Sequence, residues 1–244
     1  MTRAFADLHL RVNPKDQQAT QRLISRASRF GYRQISSPFT SALREDEIAK
    51  LKATCGEAGL DFVSRADFHP RTQNELTRFL RKFRRRFEVI CIISDSKEVA
   101  RQAAKDRRVD LLVFSSLDYR KRFFDRAEAE SASCSLAALE VDVKPLLILE
   151  GPPRVRLLAS LRREVAIARE FGVPLVVSSG VAEEHLMRNP RDMASLAYLF
   201  GLDEISALDA VSTNPLKIVS RNREKLTSRF VSPGIRVVKE GKDS

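Results

Sequence analysis

The sequence predicts an α/β fold built from repeated strand-helix units. Short runs rich in Val, Ile, Leu and Phe alternate with longer amphipathic stretches, many of which end at a glycine or a basic pair. The repeat length is about thirty residues, the size of one strand plus one helix. Because such units are joined by right-handed crossovers, we expect consecutive strands to lie side by side in a parallel sheet.

The first half of the chain contains four complete units and a fifth strand. Pro14 suits a first helical turn and Gly31 suits a helix end. The third helix repeats apolar residues at helical spacing from Leu76 to Phe87, and the unbroken apolar run after it is typical of a strand buried on both faces. The predicted strands span residues 5–10, 33–37, 61–68, 88–94 and 109–115, and the predicted helices span residues 14–30, 44–58, 73–87 and 96–106.

The second half begins regularly and then changes character. Leu158, Leu161, Val165 and Ala168 mark the inner face of a long helix that ends at Gly172. No convincing eighth strand is predicted after the seventh. The predicted strands span residues 139–149 and 173–178, and the predicted helices span residues 120–133, 155–171, 192–200, 204–210 and 214–225, the last with Asn214 as N-cap and Pro215 in its first turn.

Seven consecutive units favour closure into a TIM-barrel-like structure over an open doubly wound sheet. The missing eighth strand predicts a barrel that is distorted or incompletely closed. The first strand-helix junction, LHLRVNPKD, lacks the glycine-rich turn of dinucleotide-binding proteins, and the chain has no P-loop motif. We expect a single domain over residues 1–235 and a flexible tail over residues 236–244.

Positive charge dominates the composition. The 244 residues include 43 Lys and Arg against 32 Asp and Glu, a formal net charge of +11. Such a surplus favours a polyanionic partner, because each phosphate neutralised by Lys or Arg releases condensed counterions. The chain has three cysteines without a C-x-x-C pair and no apolar run long enough for a signal or membrane segment. A cytoplasmic protein with no membrane partner is expected.

Metal-ligating residues are few. Asp7 and His9 lie two apart on the first strand and would point the same way, and Asp67 and His69 form a second pair of this kind. A hydrolytic metal cluster needs several His and carboxylate ligands from different strands, and the chain has only three histidines. Buried, hydrogen-bonded side chains are therefore the favoured interpretation of both pairs.

The basic helix and one strand end remain as candidates for anion binding. Arg81, Lys82 and Arg85 lie in a dense basic run between phenylalanines, and the excess of one charge sign favours a nucleic acid over a merely solvated face. Ser178 and Ser179 precede Gly180 at the end of the seventh strand, where backbone N–H groups can bind an anion. A simple strand-ending turn is equally compatible with these residues.

Several segments together resemble the ribonuclease P protein component 3 family. The sequence VVSSGVAEEHLMRNPRDMASL, residues 176–196, has the order typical of that family: a strand ending in Ser-Ser, an R-x-P-R-D junction and a helix. The opening ADLHL, the strand VDLLVFS and the segment VKPLL are similar to the same family. The resemblance therefore spans nearly the whole chain.

The resemblance implies a TIM-barrel-like subunit related to the metal-dependent PHP phosphoesterases, with Asp7 and His9 as the relic of a metal motif. Proteins of this family work inside the ribonucleoprotein that removes 5′ leaders from precursor tRNA, where the RNA subunit and its Mg²⁺ ions carry out hydrolysis. No cofactor is implied for this chain itself. The implied partners are the RNase P RNA, protein component 2, other protein subunits and, indirectly, precursor tRNA.

The same resemblance implies RNA contacts at individual positions. Arg188 and Arg191 are candidate phosphate contacts, and Asp192 would support the start of the following helix. Lys144 stands where the family commonly has Arg, which keeps the charge but loses bidentate geometry. The full set of residues predicted to bind RNA is Arg65, Arg71, Arg81, Lys82, Arg85, Arg101, Lys144, Ser178, Ser179, Arg188 and Arg191.

The leading hypothesis from the sequence is a non-catalytic protein subunit of ribonuclease P that binds and stabilises the catalytic RNA through basic surfaces. One alternative is a stand-alone PHP-type phosphoesterase that uses Asp7, His9, Asp67 and His69 around metal ions. Another is a barrel used only as a protein scaffold.

Overall fold

A computed structural model describes residues 3–39, 45–232 and 235–236. Seven parallel strands form one sheet whose spatial order is the order of the chain. The strands are β1 (Phe5–Asp7), β2 (Tyr32–Phe39), β3 (Asp61–Phe68), β4 (Val89–Ile93), β5 (Leu111–Val113), β6 (Ala138–Asp142) and β7 (Leu175–Ser178). A short antiparallel hairpin follows, formed by β8 (Phe230–Ser232) and β9 (Ile235–Arg236). The predicted seven-stranded, TIM-barrel-like α/β fold is confirmed.

Helices connect the strands and surround the sheet. They are α1 (Gln17–Arg29), α2 (Glu45–Glu57), α3 (Gln73–Phe83), α4 (Lys97–Lys105), α5 (Arg126–Ser135), α6 (Lys144–Ile148), α7 (Gly151–Glu170), α8 (Pro190–Ala197), α9 (Glu204–Ala210) and α10 (Thr213–Leu226). Short 3-10 helices lie at Tyr119–Lys121, Glu184–Leu186 and Tyr198–Phe200. In the described part of the chain, no helix is both long and apolar enough to cross a membrane.

Loops and helices close the gap between β1 and β7. The Gly180 amide donates to the His9 carbonyl at 2.8 Å, and the Arg11 amide donates to the Val181 carbonyl at 2.8 Å. Nearer the start of β1, the Ala6 amide donates to the carbonyl of Val211, just before α10. Since the backbone groups at this seam find partners in loops, the barrel is nearly closed without an eighth strand.

Local signals in the sequence explain where most helices start. Asp16, Thr72 and Ser96 each accept a hydrogen bond from a backbone amide in the first turn of α1, α3 and α4. Asp125 and Glu128 form a reciprocal capping box at the start of α5. These caps satisfy amides that would otherwise have no partner at a helix end.

Two hydrophobic clusters hold the fold together. The larger one lies between the sheet and the surrounding helices and contains most of the buried aliphatic and aromatic residues. The smaller one fills the lower barrel interior with alternate residues of the strands, such as Val63, Val89 and Val176, and with Ile218 and Val219 of α10. Helix α10 therefore seals the end of the barrel at which the strands begin, which we call the base; the opposite end is the mouth.

Several element boundaries differ from the sequence predictions; β1, for example, ends at Asp7 rather than at residue 10. Strand β6 ends at Asp142 rather than continuing to residue 149, because Pro145 lies in the first turn of α6 and cannot extend a ladder. Helix α3 ends at Phe83, and α5 starts at Arg126 after its Asp125 cap. Helix α10 starts at Thr213, while the predicted cap Asn214 donates to the Leu175 carbonyl instead. Residues 237–244 of the predicted tail lie outside the described residues.

Candidate functional site

Charged side chains from two strands, β3 and β6, meet inside the barrel just below its mouth. Because side chains alternate along a strand, Arg65 and Asp67 of β3 both point inward, and so do Glu140 and Asp142 of β6. This layer lies directly above the apolar residues of the smaller core cluster. The sequence thus places an ionic layer in the interior of the barrel.

The Arg65 guanidinium forms the centre of this layer. Its side chain is fully buried, and two of its N–H groups donate to the Glu140 carboxylate at 2.7 Å each. Two more donate to Asp67 at 2.5 and 3.2 Å, and one donates to the Leu8 carbonyl at 2.7 Å. All five guanidinium N–H groups therefore have acceptors, as a buried arginine requires.

His9 is held on both ring nitrogens. Its Nδ1 lies 2.8 Å from Asp142 Oδ1, while Nε2 accepts from Arg11 Nε at 3.1 Å, so the neutral ring carries its proton on Nδ1. Burial alone would lower the pKa of His9, but the carboxylates of Asp142 and Asp67 outweigh it and the net pKa is raised. The histidine is thus fixed in orientation by acidic neighbours.

Asp7 sits deeper and is bound by backbone amides. Its Oδ1 accepts from the amides of His9 and Ser179 at 3.1 and 3.0 Å, whereas Oδ2 has no hydrogen-bond partner among the described residues. Burial raises the pKa of this carboxyl. Gly180 closes the same corner with φ of +66°, and a Cβ there would lie 2.9 Å from Asp142 Cγ.

This arrangement fits a metal ion poorly. Suitable ligand atoms of His9, Glu140 and Asp142 lie within 4.8 Å of one another. However, both Glu140 oxygens already accept from the Arg65 guanidinium, and both His9 nitrogens are engaged by Arg11 and Asp142. The Arg65 guanidinium thus already neutralises Glu140, one of the three possible ligands. We therefore derive no chemical step through a metal at this site.

Three residues predicted to bind RNA belong to this interior and not to the surface. Arg65 is buried by its carboxylates, so its assignment as a phosphate contact is wrong. Ser178 is also buried and its Oγ donates to Glu140 at 2.6 Å, while the Ser179 Oγ donates to the His9 carbonyl. The Ser179 amide, which could have bound an anion, instead donates to Asp7.

The other predicted residues lie at the surface in varied environments. Arg101 forms an ion pair with Glu128 at 3.3 Å, and Lys144 forms one with Glu183 at 2.8 Å. Arg188 is half-buried, and its guanidinium donates to the carbonyls of His185 and Met187. The residues that are exposed are Arg71, Arg81, Lys82, Arg85, Arg101 and Arg191. Their contact with RNA stays a prediction.

The second D-x-H pair of the sequence does not assemble. Asp67 is engaged by Arg65, whereas His69 is half-exposed and pairs with Asp95 at 3.1 Å. Asp192 supports the start of α8 as expected, since its carboxylate accepts from the Asn189 side chain at 2.7 Å. The phosphoesterase alternative thus loses His69 from its proposed ligand set.

A second concentration of charge lies at the base, where the α-β connections end. Asp110, which is buried, accepts from Arg84 and, at 3.0 Å, from Arg221 of α10. Arg223 donates to Asp61 at 2.6 and 2.8 Å and to Glu88 at 2.5 Å. These contacts fasten α10 to the strand starts and place several cationic side chains around one end of the barrel.

Sequence reasoning missed Glu140 and Asp142, which are interior partners of Arg65 and His9. Glu140 and Asp142 were available as signals, because charged residues at inward-facing positions of two barrel strands have to neutralise each other. The grouping at the base was missed for a different reason. Arg84, Asp110 and Arg221 come from separate connections, so no local spacing predicts their contact.

Known proteins are similar to this chain in both sequence and fold. A family model described as RNase P subunit p30 matches residues 4–227. The chain belongs to the RNase P subunit p30 family. Ribonuclease P protein component 3 from Methanosarcina barkeri is 31% identical over 218 residues, covering 80% of this chain and 90% of that protein. The protein of the same name from Methanosarcina mazei is 29% identical over 240 residues, covering 98% and 97%.

A solved structure extends the likeness of this RNase P subunit p30 family member to the fold. A chain in the cryo-EM structure of archaeal Ribonuclease P with mature tRNA superimposes with a TM-score of 0.82 and 22% sequence identity. The match covers 98% of this chain and 100% of the other. At this identity the match supports the architecture, while membership of the family rests on the sequence match.

Proposed function

We propose that this chain is a protein subunit of ribonuclease P, the ribonucleoprotein endonuclease that removes 5′ leaders from precursor tRNA. The observation that carries the proposal is the match of one family, RNase P subunit p30, to residues 4–227, which leaves little of the chain for another function. The relatives named Ribonuclease P protein component 3 match over most of their length as well. The resemblance in the residues led to the same family independently.

In this proposal the chain is not the catalyst. The Arg65 guanidinium supplies the central positive charge of the barrel interior and occupies both oxygens of Glu140. The site that would hold metal ions in a phosphoesterase is thereby converted into a structural ion cluster. Hydrolysis is assigned to the RNA subunit, which uses Mg²⁺, and this chain binds no cofactor of its own.

The contribution of the chain is to bind and stabilise the RNA. A net charge of +11 lowers the repulsion between phosphates that a compact RNA has to overcome. The exposed cations Arg71, Arg81, Lys82, Arg85 and Arg191 and the half-buried Arg188 are the proposed contacts among the residues predicted from the sequence. Lys144 and Arg101 would first have to exchange a carboxylate partner for a phosphate.

We also propose the partners and the compartment. The chain assembles with the RNase P RNA, with protein component 2 and with other protein subunits, and it meets precursor tRNA only through the assembled particle. The similar chain in the archaeal Ribonuclease P structure supports the assembly, and three cysteines without a disulfide support a cytoplasmic location.

The direct experiment is purification of the tagged full chain from its native host at mild salt, followed by sequencing of the RNA that accompanies it. The RNase P RNA is expected as the dominant species, and precursor tRNA cleavage should accompany the purified particle. Absence of RNase P RNA, or equal recovery of unrelated structured RNAs, would contradict the proposal.

A second measurement separates this proposal from the phosphoesterase alternative. The chain alone, supplied with Mn²⁺ or Zn²⁺ and a phosphate ester, is expected to show no hydrolysis above that of the His9→Ala variant. Hydrolysis that disappears in His9→Ala would favour the alternative. Circular dichroism of both proteins checks that the variant is folded.

A further inference from the structure

The base of the barrel collects basic residues from connections that are far apart in the chain. In a βα barrel, each helix returns the chain to the end at which the next strand begins. The turn after α3 therefore brings Arg84 to the base, the turn after α4 brings Arg107, and the last turns of α10 bring Arg221 and Lys225. We call these four side chains, grouped around Asp110, the basal cluster.

Hydrogen bonds hold part of the basal cluster in place. Arg84 contacts Asp110 and also donates to the carbonyls of Arg108 and Glu88 at 3.1 and 3.2 Å. Arg221 donates to the other Asp110 oxygen at 3.0 Å and to the Leu136 carbonyl at 3.1 Å. The positions of both guanidinium groups are thus determined by the fold.

Positive charge in the basal cluster exceeds what its carboxylate can neutralise. Asp110 has two oxygens, and each already accepts from one arginine. Arg107 is exposed and, within the described residues, forms no ion pair. Lys225 is half-buried, and its pKa is lowered by burial and by the charges of the three cluster arginines, against the attraction of Asp110. An added anion at this point would relieve the repulsion.

The surplus has the chemistry of a phosphate site. Guanidinium groups offer two parallel N–H donors that match phosphate oxygens, and they remain charged at every physiological pH. The exposed Arg85 lies next to Arg84 in the same turn and extends the positive surface. With three Tyr and no Trp in the chain, contacts to phosphates fit better than stacking on bases.

The mouth differs from the base because partly exposed carboxylates, each paired with one neighbouring basic side chain, lie near its rim. Near its rim, Asp95, Asp142 and Glu183 are at least partly exposed, so phosphates would meet carboxylates there. We propose that the base of the barrel, through the basal cluster, is the main surface by which this chain binds RNA phosphates. The inference rests on the proposed function and narrows it to one face, opposite the end at which barrel enzymes carry their active sites.

The test is the salt dependence of binding between the full chain and the RNase P RNA of its host. In Arg107→Ala/Lys225→Ala, two cluster cations that form no ion pair in the described part of the chain are removed, while Arg84, Asp110 and Arg221 keep their contacts. Each lost phosphate contact lowers the slope of log K against log salt by about 0.7 to 0.9, so the slope should become shallower by about 1.5.

The matched control removes the same two residue types at the mouth. Lys121 follows β5 and Arg156 lies in the first half of α7; both are exposed and form no ion pair within the described residues. Arg156→Ala/Lys121→Ala should therefore keep the slope of the unmodified chain. Thermal melts of both double variants should coincide with that of the unmodified chain, which shows that a change in binding does not come from unfolding.

The outcomes separate the inference from the function on which it rests. A slope that becomes shallower in the basal variant and not in the mouth variant supports the inference. Equal slopes in both variants, or a loss confined to the mouth variant, overturn it and leave the proposed function intact. The inference is also overturned if the basal variant no longer binds another protein subunit while the slope of its RNA binding is unchanged. Failure of the unmodified chain to bind RNase P RNA would instead contradict the proposed function.

Discussion

The mouth and the base of the barrel both gather charged residues, but they neutralise them to different degrees. At the mouth, the buried Arg65 satisfies all five of its N–H groups within the protein. At the base, the single carboxylate of Asp110 is shared by Arg84 and Arg221, and Arg107 and Lys225 lie beside them. Charge that is matched internally stabilises the fold, whereas charge left in excess at the surface is available to a partner.

The largest effect is expected from removing the matched charge at the mouth. Arg65→Met would leave the buried Glu140 and the half-buried Asp67 without their cation, and loss of one partner of a buried pair costs about 3 to 5 kcal/mol. Urea unfolding should show this loss in the free energy of unfolding. Arg71→Met, at an exposed position outside the barrel, should change it by less than about 0.5 kcal/mol.

A double variant separates the charge effect from loss of side-chain volume. In Arg65→Met/Glu140→Gln, one of the unpaired charges is removed as well, so part of the lost stability should return. If Arg65→Met is as stable as the unmodified chain, the interior ion cluster is not a structural element of the fold.

A smaller loss is expected at the base. Asp110→Ala removes the shared acceptor of Arg84 and Arg221, but both guanidinium groups are partly exposed and can be hydrated, so we expect about 2 kcal/mol. Glu170→Ala, which breaks an exposed pair with Arg126, should cost less than about 0.5 kcal/mol. Folded Asp110→Ala should bind RNA at least as tightly as the unmodified chain. Weaker binding by the folded variant would contradict the proposed role of excess charge.

Glu128 is a buried carboxylate that has no buried arginine as its ion-pair partner, and its pKa is raised. Burial, together with the nearby Asp125, raises its pKa to about 7, and the half-exposed Arg101 is its ion-pair partner at 3.3 Å. Because the folded-state pKa exceeds the ordinary value of 4.5, the free energy of unfolding should decrease as the pH rises from about 5 to about 8.

Glu128→Gln tests this directly, because glutamine preserves the capping box but cannot ionise. With about 1.4 kcal/mol for each unit of pKa difference, the variant should be more stable than the unmodified chain by about 3 kcal/mol at pH 8. At pH 5 the difference should be less than about 1 kcal/mol. Parallel pH profiles of the two proteins in urea unfolding would show that the carboxyl is not responsible.

The smallest effect is expected at Arg188, outside both charge clusters. Arg188→Glu should weaken RNA binding only a few-fold, about 1 kcal/mol or less, because some of its donors are already occupied by backbone carbonyls. Thermal melting should be unchanged within about 2 °C, since the loss in stability is a few tenths of a kcal/mol. A greater loss of RNA binding than in the basal double variant would place the main RNA surface at the mouth.

The sequence predicts the elements of the fold well because each depends on local chemistry. Strand β4 was recognisable as an apolar run, and α7 was recognisable from its spacing of leucines. The boundary at β6 was missed because apolar residues continue through α6, and only Pro145 signals the change of backbone. Periodicity identifies an element more reliably than its end.

The site was only partly predictable because its contacts join distant residues. Asp7 ends β1 and His9 follows it two residues later, so they could be recognised as a pair, but nothing in the spacing connects His9 with Asp142. Ser178 and Ser179 were predicted to bind an anion, yet the tertiary fold supplies Glu140 and Asp7 as their partners. Sequence-level reasoning found the residue types, and long-range packing decided which of them face solvent.

The most direct measurement of which face binds RNA uses a cleavage reagent tethered to one cysteine. Cys134 is exposed near the end of α5, at the base, while Cys55 and Cys91 are buried, so iron-EDTA can be attached to Cys134 alone. For the mouth, the reagent is placed in Ala182→Cys/Cys134→Ser, since Ala182 is exposed just after β7. In the complex with RNase P RNA, we expect stronger RNA cleavage from Cys134 than from position 182. Strong cleavage from position 182 with none from Cys134 would contradict the account.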